Sequence, residues 1–162
     1  MADNLVQPSI TQVTTFAGLS AGTTTTISTA NTIQYCLRGK AISPKTAITN
    51  GATPTTDAAT GLAFTPLSAN QGTVILLGLD ASGNLKACQG SVQALDSSGA
   101  FILAPQFPNA PDTVAIFGYI VLKAGATLSG TWTFGTSNLS SVTGMTYTFV
   151  NLMGLPDRPQ IA

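Results

Sequence analysis

Threonine takes the place of the usual charged and helix-forming residues in this chain of 162 residues, and this feature constrains the fold most. The chain contains 25 Thr and 13 Ser, but only four Lys, two Arg and no Glu. Thr is branched at Cβ and favours strands, whereas Lys, Arg and Glu are good helix formers. In addition, 16 Gly and 9 Pro interrupt the chain every few residues. The composition therefore predicts an all-β protein.

The charge content indicates which partners the chain is suited to. Only 7% of its residues are charged and the formal net charge is zero. A neutral chain has no long-range attraction for nucleic acid or for an anionic membrane, so neither is expected as a partner. The 44% of hydrophobic residues excludes intrinsic disorder, and the length fits one domain with a single core. Low net charge also suits a subunit that is held in an assembly.

The ionisable residues argue against catalysis. The chain has no histidine and no glutamate, and its six aspartates are never closer than 16 residues in sequence. Acid and base catalysis near neutral pH relies mostly on histidine or on paired carboxylates. Zinc is excluded by the lack of ligands, because Cys36 and Cys88 are the only cysteines and have no metal-binding spacing. We therefore expect no enzyme, no cofactor and no metal site.

The ends and the apolar segments indicate where the chain is made. Residues 1–8 have neither the basic nor the apolar part of a secretory signal, so synthesis in a cytoplasm is expected. The longest apolar run, residues 114–122, is nine residues long and too short for a membrane helix. Cytoplasmic proteins rarely keep disulfides, so Cys36 and Cys88 are expected to be buried free thiols.

The chain divides into an extended N-terminal arm, residues 1–20, and one β domain, residues 21–162. Strands are predicted at residues 23–27 and 31–37, and the second alternates apolar Ile33, Tyr35 and Leu37 with more polar neighbours. Residues 50–70 are rich in Thr, Ala, Gly and Pro and predict a long surface loop that begins with an Asn-Gly turn.

Two hairpins with matching turns are predicted in the centre of the chain. Asp80 and Asp96 each begin an Asp-x-Ser-Gly sequence, with strands predicted at 74–79, 85–89 and 100–103. Aspartate accepts backbone N–H bonds in such turns, and glycine takes the left-handed conformation. A calcium loop is the alternative, but it requires several carboxylates and a closing glutamate. The turn interpretation is therefore favoured.

The apolar run of residues 114–122 predicts a strand with two hydrophobic faces. Such a strand needs cover on both sides, and the outer face of a sandwich strand usually meets water. Cover from another subunit or from the arm is favoured over burial within the domain.

Residues 131–135 and 145–150 alternate clearly and predict two antiparallel partner strands. Their aromatic side chains, like Tyr119, offer a stacking surface for a sugar, although core packing is favoured. The only basic cluster, Arg38 and Lys40 with Lys45, is weak for nucleic acid. It fits an acidic protein surface equally well, and a solvated strand end is favoured over both.

Five segments resemble tailed-bacteriophage virion proteins that decorate capsids or form head fibres. They are residues 73–86 (TVILLGLDASGNLK), 87–90 (ACQG), 104–108 (APQFP), 131–138 (TWTFGTSN) and 155–159 (LPDRP). The resemblance covers most of residues 23–160. It implies a single β-sandwich, jelly-roll-like domain that forms a homotrimer, and it implies a capsid decoration (cement) protein. Such a protein lies on the capsid exterior of the virion, binds the major capsid protein and itself, and stabilises the shell.

Within that resemblance, the arm and the C-terminal tail are expected to contact neighbouring subunits or the capsid. The candidate partner-binding residues are Asp3, Asn4, Leu5, Val6, Arg38, Lys40, Asp157 and Arg158. The alternatives are a head or tail fibre, a receptor-binding protein, or a carbohydrate-binding module.

Overall fold

The computed structural model describes residues 10–153 and 159, and this part of the chain is all-β. No helix long and apolar enough to cross a membrane occurs in it. The strands are β1 (Gln12–Val13), β2 (Leu19–Ala21), β3 (Thr26–Thr29), β4 (Tyr35–Leu37), β5 (Lys40–Ala41), β6 (Gly51–Ala52), β7 (Gln71–Leu79), β8 (Leu85–Gln89), β9 (Gln93–Ala94), β10 (Ala115–Ala124) and β11 (Met145–Asn151).

The largest sheet is antiparallel and has the strand order β11-β10-β7-β8, with β9 also paired to β7. Its two central strands, β7 and β10, are the two most apolar segments of the chain. A β-bulge between Ile116 and Gly118 shifts the register of β10 against β7. The prediction of strands at 74–79, 85–89, 114–122 and 145–150 is confirmed, with bounds that differ by at most three residues.

Two small antiparallel sheets complete the sandwich-like arrangement, with strand orders β1-β4-β5 and β2-β3-β6. Residues 10–20, which lie in the predicted arm, supply β1 and the first residues of β2 to these sheets. Ile33, Tyr35 and Leu37 are buried as their alternation predicts. The strand predicted at 23–27 begins later, at Thr26, and ends at Thr29.

The main hydrophobic core lies between one face of the large sheet and the two small sheets. The small sheets contribute Val13, Leu19, Ile27, Tyr35 and Leu37, which pack against alternate residues of β7 and β10. Connecting segments add Phe64, Leu67, Trp132, Phe134 and Leu139. This core covers one of the two faces of the large sheet.

The opposite face of the large sheet is covered by loops of the same chain. Val74, Leu76, Cys88, Tyr119 and Val121 form a second core there. The side chains packed against this core come from connecting segments and strand ends: Ala58, Phe101, Phe107, Ala110, Ile116 and Val150. β10 is thus buried on both faces inside one chain. The expected cover by a second subunit is not needed, although the arm region contributes Val13 to the first face.

Both predicted Asp turns form, but only the first closes a hairpin of regular strands. Asp80 and Asp96 each accept two backbone N–H bonds through Oδ1, and Gly83 and Gly99 take positive φ. After the second turn only Phe101 forms a bridge, with Leu95. The prediction of a strand at 100–103 is wrong: Ile102 makes one further backbone bond, to the Ala94 carbonyl at 3.1 Å, but Ile102 and Leu103 are exposed and the pairing does not continue as a ladder.

The prediction that residues 131–135 form a strand beside β11 is also wrong. Only Trp132 pairs, in an isolated bridge to Leu67, and the chain then turns. The indole of Trp132 donates its N–H to the carbonyl of Asn138, so the segment is fixed by core packing instead of a ladder. β11 pairs with β10.

Candidate functional site

A cleft of about 860 Å³ lies where four connecting segments meet at one end of the large sheet. Its walls come from the β4–β5 turn, residues 54–61, the β7–β8 turn and residues 111–114. Leu37, Ile42, Leu85 and Val114 give it an apolar lining, and the charged residues of the lining are Arg38, Lys40, Asp57, Asp80 and Lys86. Five of the twelve charged residues of this charge-poor chain therefore share one concave surface.

Arg38 stands at the rim of the cleft, held in a two-pronged ion pair. Its Nε and one terminal nitrogen lie 2.9 and 2.7 Å from the two carboxylate oxygens of Asp112. These hydrogen bonds raise the pKa of the Arg38 guanidinium and lower the pKa of the Asp112 carboxyl. The Thr11 hydroxyl accepts the Arg38 backbone N–H at 3.0 Å and donates to the Asp112 carbonyl at 2.7 Å. Arg38 is thus oriented on the surface by two segments far apart in sequence.

The sharp turn between β4 and β5 explains why Arg38 and Lys40 reach the same rim. Arg38 and Gly39 both take positive φ, 50° and 77°. The Gly39 N–H donates to the Ile10 carbonyl at 2.8 Å, which ties the turn to the start of the described chain. Lys40 is exposed, and no carboxylate of the described residues forms an ion pair with it. Lys40 is therefore the cation of the rim that remains available to a partner.

A second ion pair lies deeper, at the β7–β8 turn. Lys86 Nζ is 3.6 Å from Asp80 Oδ2. Burial acts to raise the pKa of Asp80, but hydrogen bonds from Asn84 and Ser82 and the charge of Lys86 together hold it below its usual value. The Asp80 carbonyl also accepts the hydroxyl of Tyr35 at 2.9 Å. The turn is fixed to β4 by this bond.

Asp57 forms part of the opposite wall and is 6% exposed. Its Oδ1 accepts the N–H groups of Ala59 at 2.6 Å and Thr60 at 3.3 Å, and its Oδ2 accepts the N–H of Gln89 at 2.9 Å. Three backbone N–H groups donate to this one buried carboxylate, which indicates a structural role for Asp57. This carboxylate is engaged by the chain itself.

The first two residues of β8, Leu85 and Lys86, line the cleft, and only the second half of the outer edge of β8 is covered. Asp57 caps the N–H of Gln89, and the N–H of Ala58 caps the carbonyl of Ala87 at 2.8 Å. The bonds from Gly90 N to Val74 O and from Asp80 N to Asn84 O fix the alternation of the β7–β8 ladder, so the backbone of Leu85 points away from β7. Leu85 lines the cleft, and its backbone N–H and C=O groups have no hydrogen-bond partner among the described residues.

A smaller groove of about 180 Å³ adjoins the cleft and shares Pro111 and Val114 with it. Thr11, Val13, Ile116 and Met153 are among its lining residues. The two ends of the continuously described chain, Ile10 and Met153, therefore both lie at this end of the molecule.

The structure brings two of the eight candidate partner-binding residues together, Arg38 and Lys40. The other six, Asp3, Asn4, Leu5, Val6, Asp157 and Arg158, lie outside the described residues. Sequence analysis missed Asp57, Asp80 and Lys86 as members of one cleft. The turn residues beside Asp57 and Asp80 are visible in the sequence, but the closeness of the three side chains depends on tertiary packing.

The cysteines and aromatic residues take mostly structural positions. Both thiols are free, but only Cys88 is buried, whereas Cys36 is half-buried, so the prediction of two buried thiols is wrong for Cys36. Burial, with a contribution from the Asp57 charge, raises the pKa of Cys88 to about 11. Trp132 and Tyr119 are buried in the two cores. No group of three potential metal ligands occurs among the described residues.

Comparison with protein-family models, with curated proteins and with solved structures finds no match.

Proposed function

We propose that this chain is a structural protein of a bacteriophage particle that binds the outside of the capsid and stabilises the shell. Two lines of argument support the proposal: the resemblance of five segments to capsid decoration and head-fibre proteins, and the cleft that gathers five charged residues on an otherwise charge-poor surface. The single observation that carries it is the cleft rim, where Arg38 is oriented by its ion pair with Asp112 and Lys40 has no ion-pair partner among the described residues.

The cleft combines features that suit an extended segment of another protein. Apolar walls from Leu37, Ile42 and Val114 take side chains, and the uncovered backbone of Leu85 takes main-chain hydrogen bonds. Lys40 favours a carboxylate in that segment. The proposed partner is a surface loop of the major capsid protein, and the arm and tail are proposed to add contacts to it, since the described chain begins and ends at this end of the molecule with Ile10 and Met153.

Stabilisation follows from differential binding. A protein that binds the assembled shell but not its separated subunits shifts the equilibrium towards the shell, by an amount set by its concentration relative to its Kd. Each contact must then break before the lattice opens under the pressure of packaged DNA. The jelly-roll-like topology and the homotrimer belong to the same proposal, because both rest on the resemblance.

The test is binding to purified capsids from phage that lack this protein. Sedimentation with wild-type protein should give saturable binding, and Arg38→Ala and Lys40→Ala together should weaken it at least about tenfold, which corresponds to roughly 1.4 kcal/mol. Ser129→Asp is the control, because it also makes the protein more negative but lies beyond the other end of β10. No binding of the wild type, or equal loss with Ser129→Asp, would count against the proposal.

A head or tail fibre is the second candidate within the same class. Quantitative mass spectrometry of purified virions distinguishes them, since a decoration protein is present in many copies and a fibre in few. A carbohydrate-binding module has less support, because Trp132 and Tyr119 are buried and therefore not available to stack on a sugar.

A further inference from the structure

The outer edge of β11 differs from the other edge of the large sheet, because nothing among the described residues pairs with its centre. β10 lies on one side of β11 only. The bonds from Gly125 N to Gly144 O and from Leu152 N to Phe117 O fix which residues point to β10. By alternation, the N–H and C=O groups of Tyr147 and Phe149 point away from it.

The chain itself makes a hydrogen bond at each end of β11, so the uninterrupted open part of the edge lies at its centre. The N–H of Met145 donates to the Val142 carbonyl at 3.1 Å. The side chain of Asn151 accepts the Leu19 N–H at 2.6 Å. At the centre of the edge, the N–H and C=O groups of Tyr147 and of Phe149 are four open groups without a hydrogen-bond partner among the described residues.

Proteins usually protect a free edge with charged residues, proline, a bulge or a covering loop. On the β8 edge this chain uses Asp57 and Ala58 for that purpose. β11, with the sequence MTYTFVN, contains no charge and no proline, and its register with β10 is continuous. An edge of seven residues without these protections is suited to pairing with another strand.

The four open groups are self-complementary. If β11 of a second copy runs antiparallel about a two-fold axis through Thr148, Tyr147 of each copy lies opposite Phe149 of the other, and all four groups pair in hydrogen bonds. Thr148 then faces its own symmetry mate, and Thr146 faces Val150. These are pairings of aromatic and β-branched side chains, which favour strand association, and no charges are opposed.

We propose that β11 is a two-fold self-association surface through which two copies of the chain form one continuous antiparallel sheet. The contact joins copies in pairs and cannot close a ring of three, so it is separate from the proposed trimer contact. It depends on neither capsid binding nor the cleft.

A cysteine at the axis tests the register directly. At a directly opposed position without hydrogen bonds between the pair, the Cα atoms are about 4.5 Å apart, within disulfide range. Thr148→Cys in a Cys36→Ser background should therefore form a disulfide-linked dimer on mild oxidation. Thr146→Cys is the matched control, since its two copies would lie roughly 14 Å apart along the paired strands.

A charged side chain at the two-fold axis tests the contact without a cross-linking reaction. Thr148→Lys places two cations opposite each other and should halve the mass of the wild-type assembly by light scattering. Thr146→Lys faces Val150 and should leave most of it associated. Equal cross-linking of the two cysteine variants, or an unchanged mass for Thr148→Lys, would overturn the proposal. Cross-linking that appears only after deletion of residues 1–9 would also overturn it, because the arm would then be the occupant of this edge.

Discussion

Asp57, in the wall of the cleft, is joined to Gln89 at the end of β8: the carboxylate of Asp57 accepts the backbone N–H of Gln89 at 2.9 Å. The same carboxylate accepts the N–H groups of Ala59 and Thr60. Since Gln89 ends β8, this bond fixes the loop of residues 53–70 to the edge of the large sheet. Part of this loop, residues 54–61, is thereby held in place as a wall of the cleft.

Replacing Asp57 by alanine should lower the free energy of unfolding by about 2–4 kcal/mol, because it leaves three N–H groups in part-buried hydrogen bonds without their charged acceptor. Urea denaturation measures the change. Asp96→Ala is the control: Asp96 also accepts the N–H groups of Ser98 and Ala100, but the turn is exposed and water can replace it. Equal losses for the two variants would contradict the role given to Asp57.

Asp80 and Asp96 show what the sequence predicts well. The hydrogen bonds with which each carboxylate forms its turn lie within four residues, so the Asp-x-Ser-Gly pattern is sufficient to predict the turn. Asp57 makes its decisive bond 32 residues away, and no local pattern reports such a contact. The cleft is therefore not predictable as a site, although the sequence shows Arg38 and Lys40, with Lys45, as its only basic cluster.

Trp132 and β10 show why the strand predictions succeeded or failed. The nine apolar residues of 114–122 have enough local signal to predict a strand, but the two layers that cover it come from segments far away in sequence. Residues 131–135 alternate as a strand does, yet the burial of Trp132 and the bond to Asn138 turn the chain. Tertiary packing overrides the local pattern there.

A methyl group at Gly118 should be poorly tolerated. A Cβ there would lie 2.8 Å from the Val150 carbonyl oxygen and 2.9 Å from Leu19 Cδ2. Gly118→Ala should destabilise the protein by about 1–3 kcal/mol through overpacking at the bulge. Gly125→Ala is the control, because its Cβ would meet only the Gly144 carbonyl, at 3.4 Å, and should change stability by less than about 0.5 kcal/mol. Thermal unfolding compares the stability of the two variants. If Gly118→Ala is as stable as Gly125→Ala, a Cβ at position 118 is not crowded by Val150 and Leu19.

The two thiols should differ in reactivity. Cys88 is buried and its pKa is raised to about 11, so little thiolate is present at pH 8. Cys36 is half-buried, and its sulfur lies 3.4 Å from the Ile10 carbonyl near the surface. A thiol reagent at pH 8 should label one cysteine in the native protein and two in denaturant. Cys36→Ser should abolish the native labelling, and labelling that survives in this variant would show that Cys88 is accessible.

Tyr147 should make stability depend on alkaline pH. Its ring lies against Trp132, with centroids 5.9 Å apart, and its hydroxyl donates to the Asn138 carbonyl at 3.0 Å. Burial raises its pKa to about 12, above the ordinary value of 10.0. The folded protein therefore holds this proton more tightly than the unfolded chain does. The resulting stabilisation is complete below pH 10 and is lost as the pH rises towards 12.

The comparison of wild type with Tyr147→Phe isolates this effect, because Cys88 and Tyr35 titrate in both proteins. At pH 8 the variant should be less stable by about 1 kcal/mol, owing to the missing hydrogen bond. The difference in unfolding free energy, measured in urea, should stay constant to about pH 9 and shrink between pH 10 and 12. A difference that remains constant to pH 12 would show that the hydroxyl ionises equally in both states, and that burial against Trp132 does not protect its proton.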